Sequence, residues 1–163
     1  MANFSSANDD VFISGTARFE TRVVTTDEFD AYRVLISKSK DIIVKAVDAA
    51  KRSRGLSSPD LVLNGQRWEL KCPTGNNPKK TIGRNINKAI AQMNNTGNDD
   101  AIRIIISSLA TPLAKADAES QIKRKLNEGR IDDLIAIYSE SDVQYYRHDK
   151  AKHKTTEIPI ALL

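Results

Sequence analysis

The chain has 163 residues, 40% of them hydrophobic and 28% charged, with a formal net charge of +4. That is the make-up of a soluble globular domain able to bury a real core, with a mild bias toward polyanions. No apolar run approaches the ~20 residues of a membrane helix, the start Met-Ala-Asn-Phe-Ser-Ser carries no leader pattern, and the single cysteine, Cys72, excludes an internal disulfide and a cysteine-rich zinc site.

Residues 1 to 10 are polar and expected to be frayed. Val11 to Val24 alternates loosely through Ile13, Phe19 and Val23, as an extended arm or a short strand pair, so residues 1–24 are set apart as an arm from a single domain over 25–163. Thr25 and Glu28 are spaced as a capping box, and Phe29, Tyr32, Leu35 and Ile36 repeat at helical spacing, predicting a helix over 27–38. Asp41 to Val47 reads as a strand, and Ala49 to Ser58 as a flexible basic loop carrying Lys51, Arg52 and Arg54.

The segment from Leu61 to Lys71 reads as a hairpin around Asn64-Gly65, and Pro73 to Pro78 as the loop that ends it. Ile82, Ile86, Ala89, Ile90 and Met93 mark an amphipathic helix over 81–95, closed by Gly97. A buried strand follows over 101–109, dense in isoleucine, then a helix over 114–128 stopped by Gly129. Strands over 131–138 and 143–147 complete an α/β pattern: a mixed central β-sheet flanked by helices. His148 and His153 fall in a polar tail and are expected to be exposed.

The hairpin carries the chemistry. Asn-Gly favours a type I′ turn, which needs positive φ at both central residues and pairs 63 with 66, 62 with 67, 61 with 68 and 60 with 69. Asp60 and Glu69 then stand directly opposed, with Cβ atoms roughly 4.5–5.5 Å apart, where like charges repel. Lys71 shares their face, while Trp68 and Leu70 take the other. Two carboxylates beside an ammonium suit Mg²⁺ (or Mn²⁺), with the carbonyl of Leu70 as a further oxygen and Lys71 to position a water. Lys79, Lys80, Arg84 and Lys88 follow at once and are candidate contacts to nucleic-acid phosphates. Further positive charge gathers at Lys123 to Lys125 and between Arg147 and Lys154. Cys72 is either an incidental small residue or a thiol activated by Lys71.

Pro59-Asp60, eight intervening residues, then Glu69-Leu70-Lys71 resembles the PD-(D/E)XK nuclease signature. The stretch from Ser58 to Gly75 closely resembles the nuclease modules at the C-terminal ends of contact-dependent growth-inhibition and related polymorphic bacterial toxins. The likeness covers roughly residues 27 to 110, including Glu28-x-x-Ala31-x-x-x-Leu35 ahead of the hairpin and Lys88-Ala89-Ile90-Ala91-Gln92 after it.

The resemblance implies a restriction-endonuclease-like core and a metal-dependent endonuclease toxin. Asp60 and Glu69 would be the metal ligands, Lys71 the catalytic lysine, and Glu28 and Gln92 further catalytic residues, with Glu28 equally well placed to be a helix cap. It further implies tRNA rather than DNA as substrate, a cognate immunity protein as partner, and a domain released from a larger secreted effector to act in the target-cell cytoplasm. A DNase on the same scaffold and a non-catalytic nucleic-acid-binding module are the rival readings.

Overall fold

In the computed structural model of the chain, which describes residues 11–12, 15–20, 23–98 and 101–163, nine strands hydrogen-bond side by side in sequence order. They are β1 (Val11–Phe12), β2 (Thr16–Phe19), β3 (Ile42–Val44), β4 (Leu61–Leu63), β5 (Gln66–Lys71), β6 (Arg103–Ser107), β7 (Asp133–Ile137), β8 (Val143–Asp149) and β9 (Lys154–Ile158). The frayed start expected over residues 1 to 10 lies outside the described residues.

The β2–β3, β5–β6 and β6–β7 pairs are parallel and the others antiparallel, which makes the sheet mixed. Each parallel step passes through a helix, since parallel neighbours need a crossover. The helices are α1 (Thr26–Ser37), α3 (Thr81–Asn94) and α4 (Lys115–Asn127), with a short α2 (Ala49–Ser53) before β4.

Alternation along the strands creates two core layers. Ile105 packs with Leu61, Leu63, Trp68 and Leu70 against Tyr32, Leu35 and Ile36 of α1. Ile104 and Ile106 turn to the other face, where Ile86, Ile90 and Met93 of α3 meet Ile122 and Leu126 of α4. The central strands are covered on both sides, and for that reason the isoleucine run has no polar positions.

The hairpin has the register that Asn64-Gly65 dictates: Leu63 pairs with Gln66, Val62 with Arg67 and Leu61 with Trp68, with φ of 53° at Asn64 and 70° at Gly65. The capping box at α1 also forms, Thr25 Oγ1 accepting from Glu28 N and Glu28 Oε1 from Thr25 N, each at 3.2 Å.

Three expectations need correction. The loop over 49–58 contains helix α2, because Asp48 Oδ1 accepts from the backbone N–H groups of Ala50 and Lys51 at 2.9 and 3.1 Å and so caps a first turn. The C-terminal tail adds strand β9 against β8. His153 is exposed as expected, but His148 is 7% exposed, held under β9 with its Nδ1 3.0 Å from Thr155 Oγ1.

Candidate catalytic cavity

The hairpin ladder ends at Leu61 and Trp68, and Asp60 and Glu69 are the next residues along its two arms. Their neighbours Leu61, Trp68 and Leu70 enter the α1-side core, so alternation sends both carboxylates and Lys71 to the opposite face. Asp60 is 8% and Glu69 4% exposed. Asp60 Oδ2 accepts from Leu70 N at 2.9 Å, which pins this carboxylate across the hairpin. Lys71 Nζ lies 3.4 Å from Glu69 Oε1. Burial, and after it the charge of Asp60, hold the Glu69 carboxyl well above the ordinary carboxylate range, with Lys71 pulling the other way.

These three residues line a cavity of about 640 Å³ together with Glu28 from the start of α1 and Gln92 from α3. The five residues singled out by the sequence as catalytic therefore share one cleft. Gln92 Oε1 is buried and has no hydrogen-bond partner, an acceptor left for something in the cleft.

Among the described residues no three His, Cys, Asp or Glu side chains gather tightly enough to hold a metal by themselves. The two buried carboxylates, Asp60 and Glu69, are a donor set of the kind a hard cation takes, which completes its shell with water and substrate phosphate. The raised Glu69 carboxyl is a second sign of fit, since a divalent cation relieves the crowding of two buried carboxylates.

Cys72 also lines the cavity, but burial first, then the charges of Glu28 and Asp27, push its thiol up to about 12. That argues against a thiolate activated by Lys71 at neutral pH.

The basic residues after the hairpin do not join this cleft. Lys79, Lys80 and Arg84 line a separate groove, and exposed Lys88 lines neither. Conversely, the cleft contains Asp27, Arg52 and Asn85, which sequence reading left aside. Asn85 precedes Gln92 by two helical turns, so the signal for it was present in the spacing. Arg52 is brought in by α2, and the Asp48 cap was its signal.

A family model described as "Contact-dependent growth inhibition CdiA C-terminal domain" matches residues 57–143, more than half of the chain, from just before the hairpin to the start of β8. Among solved structures the chain is similar to a "CdiA-CT/CdiI toxin and immunity complex from Burkholderia pseudomallei", at 20% identity and a TM-score of 0.45, over 87% of this chain and 97% of that one. No curated protein matches. With the cavity's lining residues from Ser57 to Gln92 inside the matched span, the chain belongs to the contact-dependent growth inhibition CdiA C-terminal domain family.

Proposed function

We propose that this domain is a metal-dependent endonuclease toxin of the PD-(D/E)XK type, and that it cleaves nucleic acid, tRNA before DNA, in a target bacterium. The observation that carries the reading is the cleft itself: two buried carboxylates on paired strands, an ammonium 3.4 Å from one of them, and an orphaned buried carbonyl oxygen on the facing helix. A structural carboxylate pair has no use for the last of these.

Asp60 and Glu69 would hold Mg²⁺ or Mn²⁺, which when bound lowers the pKa of a water and neutralises charge at phosphorus. The Lys71 ammonium donates a hydrogen bond to the attacking water and offsets charge that develops on the phosphoryl oxygens. Gln92 Oε1 accepts from the same water and so fixes its lone pair toward the phosphorus. Glu28, whose Oε1 is shared with the α1 cap, adds acceptor capacity at the cleft's rim. The membership in a family of C-terminal domains supports delivery as part of a larger protein. An enzyme of this kind would kill its producer, so a cognate immunity protein is the expected partner, with acidic residues to meet the basic groove beside α3.

Incubation of the purified domain with Mg²⁺ and either tRNA or plasmid DNA tests this. Cut tRNA, intact plasmid and loss of cutting under chelation are expected. Intact tRNA beside degraded plasmid supports the DNase on the same scaffold, and two intact substrates under every divalent cation support the binding module.

A further inference from the structure

Helix α3 has two working flanks. At about 100° per residue, Asn85 and Gln92 share the flank that lines the carboxylate cavity. Gly83, Arg84 and Asn87 lie on the other flank, where they border a groove of about 340 Å³ with Lys79, Lys80, Arg124 and Lys125.

The groove is built by close contact between α3 and α4. A Cβ on Gly83 would sit 3.2 Å from Lys125 Cε, so the two helices run close together here. Gln121 of α4 clasps the start of α3, its Oε1 accepting from Ile82 N at 2.9 Å and Gly83 N at 3.0 Å, and its amide donates to Pro78 O. Arg124 donates to Lys79 O at 3.4 Å. Five cationic side chains thus surround a groove whose one lining carboxylate, Glu128, is held by Lys125 at 3.1 Å. The positive end of the α3 dipole lies at the same place.

We infer that this groove is a second backbone-phosphate site, which grips nucleic acid away from the bond to be cut. The inference rests on the proposed nuclease reading and assigns Arg124 and Lys125 alongside Lys79, Lys80 and Arg84. A polyphosphate backbone suits it better than an acidic protein. Its lining holds Lys, Arg, Asn, Gly and Glu and none of the aromatic or aliphatic anchors on which a protein interface centres. The substrate must pass around α3, about 10–12 Å across with its side chains. A dinucleotide, whose only phosphate is the scissile one, cannot fill both sites.

The test uses the full chain carrying Arg124→Glu, or Lys80→Glu with Arg84→Glu. Binding of tRNA is measured by anisotropy across a salt series in a Lys71→Ala background, and cleavage of tRNA and of a dinucleotide in the active background. The groove predicts tRNA binding weaker by about tenfold or more, with the log–log salt slope shallower by roughly 0.7–0.9 for each phosphate that is no longer neutralised. It also predicts a fall of about tenfold in kcat/KM for tRNA relative to the dinucleotide, with the thermal midpoint kept. Unchanged affinity and slope in the variants of an active domain overturn the groove alone. Equal losses on both substrates, or intact tRNA binding with loss of binding to an acidic inhibitor protein, overturn it as well. A wild-type domain that neither binds nor cuts any nucleic acid overturns the nuclease reading and the groove together.

Discussion

Replacing Glu69 by glutamine should stabilise the metal-free domain and destroy its response to metal. The Glu69 carboxyl, 4% exposed, is pushed up to about 8 from an ordinary 4.5, by burial first and by the Asp60 charge second. A folded pKa above the unfolded one means that stability is greatest below the ordinary value and is lost as pH rises toward the folded value. The window is therefore about pH 4.5 to 8, with a slope of at most about 1.4 kcal/mol per pH unit from this one proton. Across it the wild type loses up to roughly 4 kcal/mol to ionisation of Glu69.

Glutamine removes that loss and keeps a donor for Asp60, but it forfeits the Lys71 pair. The net gain at pH 8 should then be on the order of 2 kcal/mol, near zero at pH 4.5, and worth roughly 4–8 °C of thermal midpoint at this chain length. Urea unfolding of both proteins between pH 4.5 and 8.5 in chelator measures the difference directly. Adding Mg²⁺ should raise the midpoint of the wild type and leave Glu69→Gln unmoved. A stability difference that is flat with pH, or a variant weaker than wild type at pH 8, would refute the carboxylate-crowding argument.

Cys72→Ala should retain full activity, and alkylating reagents at pH 8 should label the native thiol far more slowly than the unfolded one, because it is pushed up to about 12. Fast labelling with loss of activity would reverse that assignment. Gly65→Ala should cost about 1 kcal/mol in urea unfolding through its φ of 70° alone, since no atom lies within 4 Å of the added methyl. On β7, Asp133 accepts from Tyr145 Oη at 2.6 Å and Arg147 Nε at 3.4 Å and forms an ion pair with Arg103, Nε at 3.3 Å. Asp133→Ala strands Arg103, only 18% exposed, and should cost about 3 kcal/mol or more, while residual folded protein keeps its activity.

The hairpin and its carboxylates were legible because one dipeptide, Asn64-Gly65, fixes the turn type and with it every cross-strand pair. The three long helices were legible from apolar periodicity and their ends from a capping box and glycines. What escaped had no such signal, or a signal diluted by charge. Lys154-Thr155-Thr156-Glu157 pairs by its backbone at the sheet's border, and its side chains show no apolar alternation. His148 is buried because β9 and the Gly129 turn close over it, a tertiary effect no local pattern carries. The separation of Lys79, Lys80 and Arg84 from the cleft followed from where α4 docks on α3, which spacing along one helix does not tell. Their nearness in sequence to Lys71 suggested a shared site, and the fold sends them to the other flank.

In the proposed function, Asp60, Glu69 and Lys71 form a phosphodiester-cleaving centre. Sequencing of RNA ends from cells that express the domain, its Asp60→Ala variant or its Lys71→Ala variant tests it most directly. The wild type should leave new ends at one position in a tRNA family, and neither variant should leave any at equal folded protein. Growth inhibition of equal strength by all three, with no new RNA or DNA ends, would contradict it.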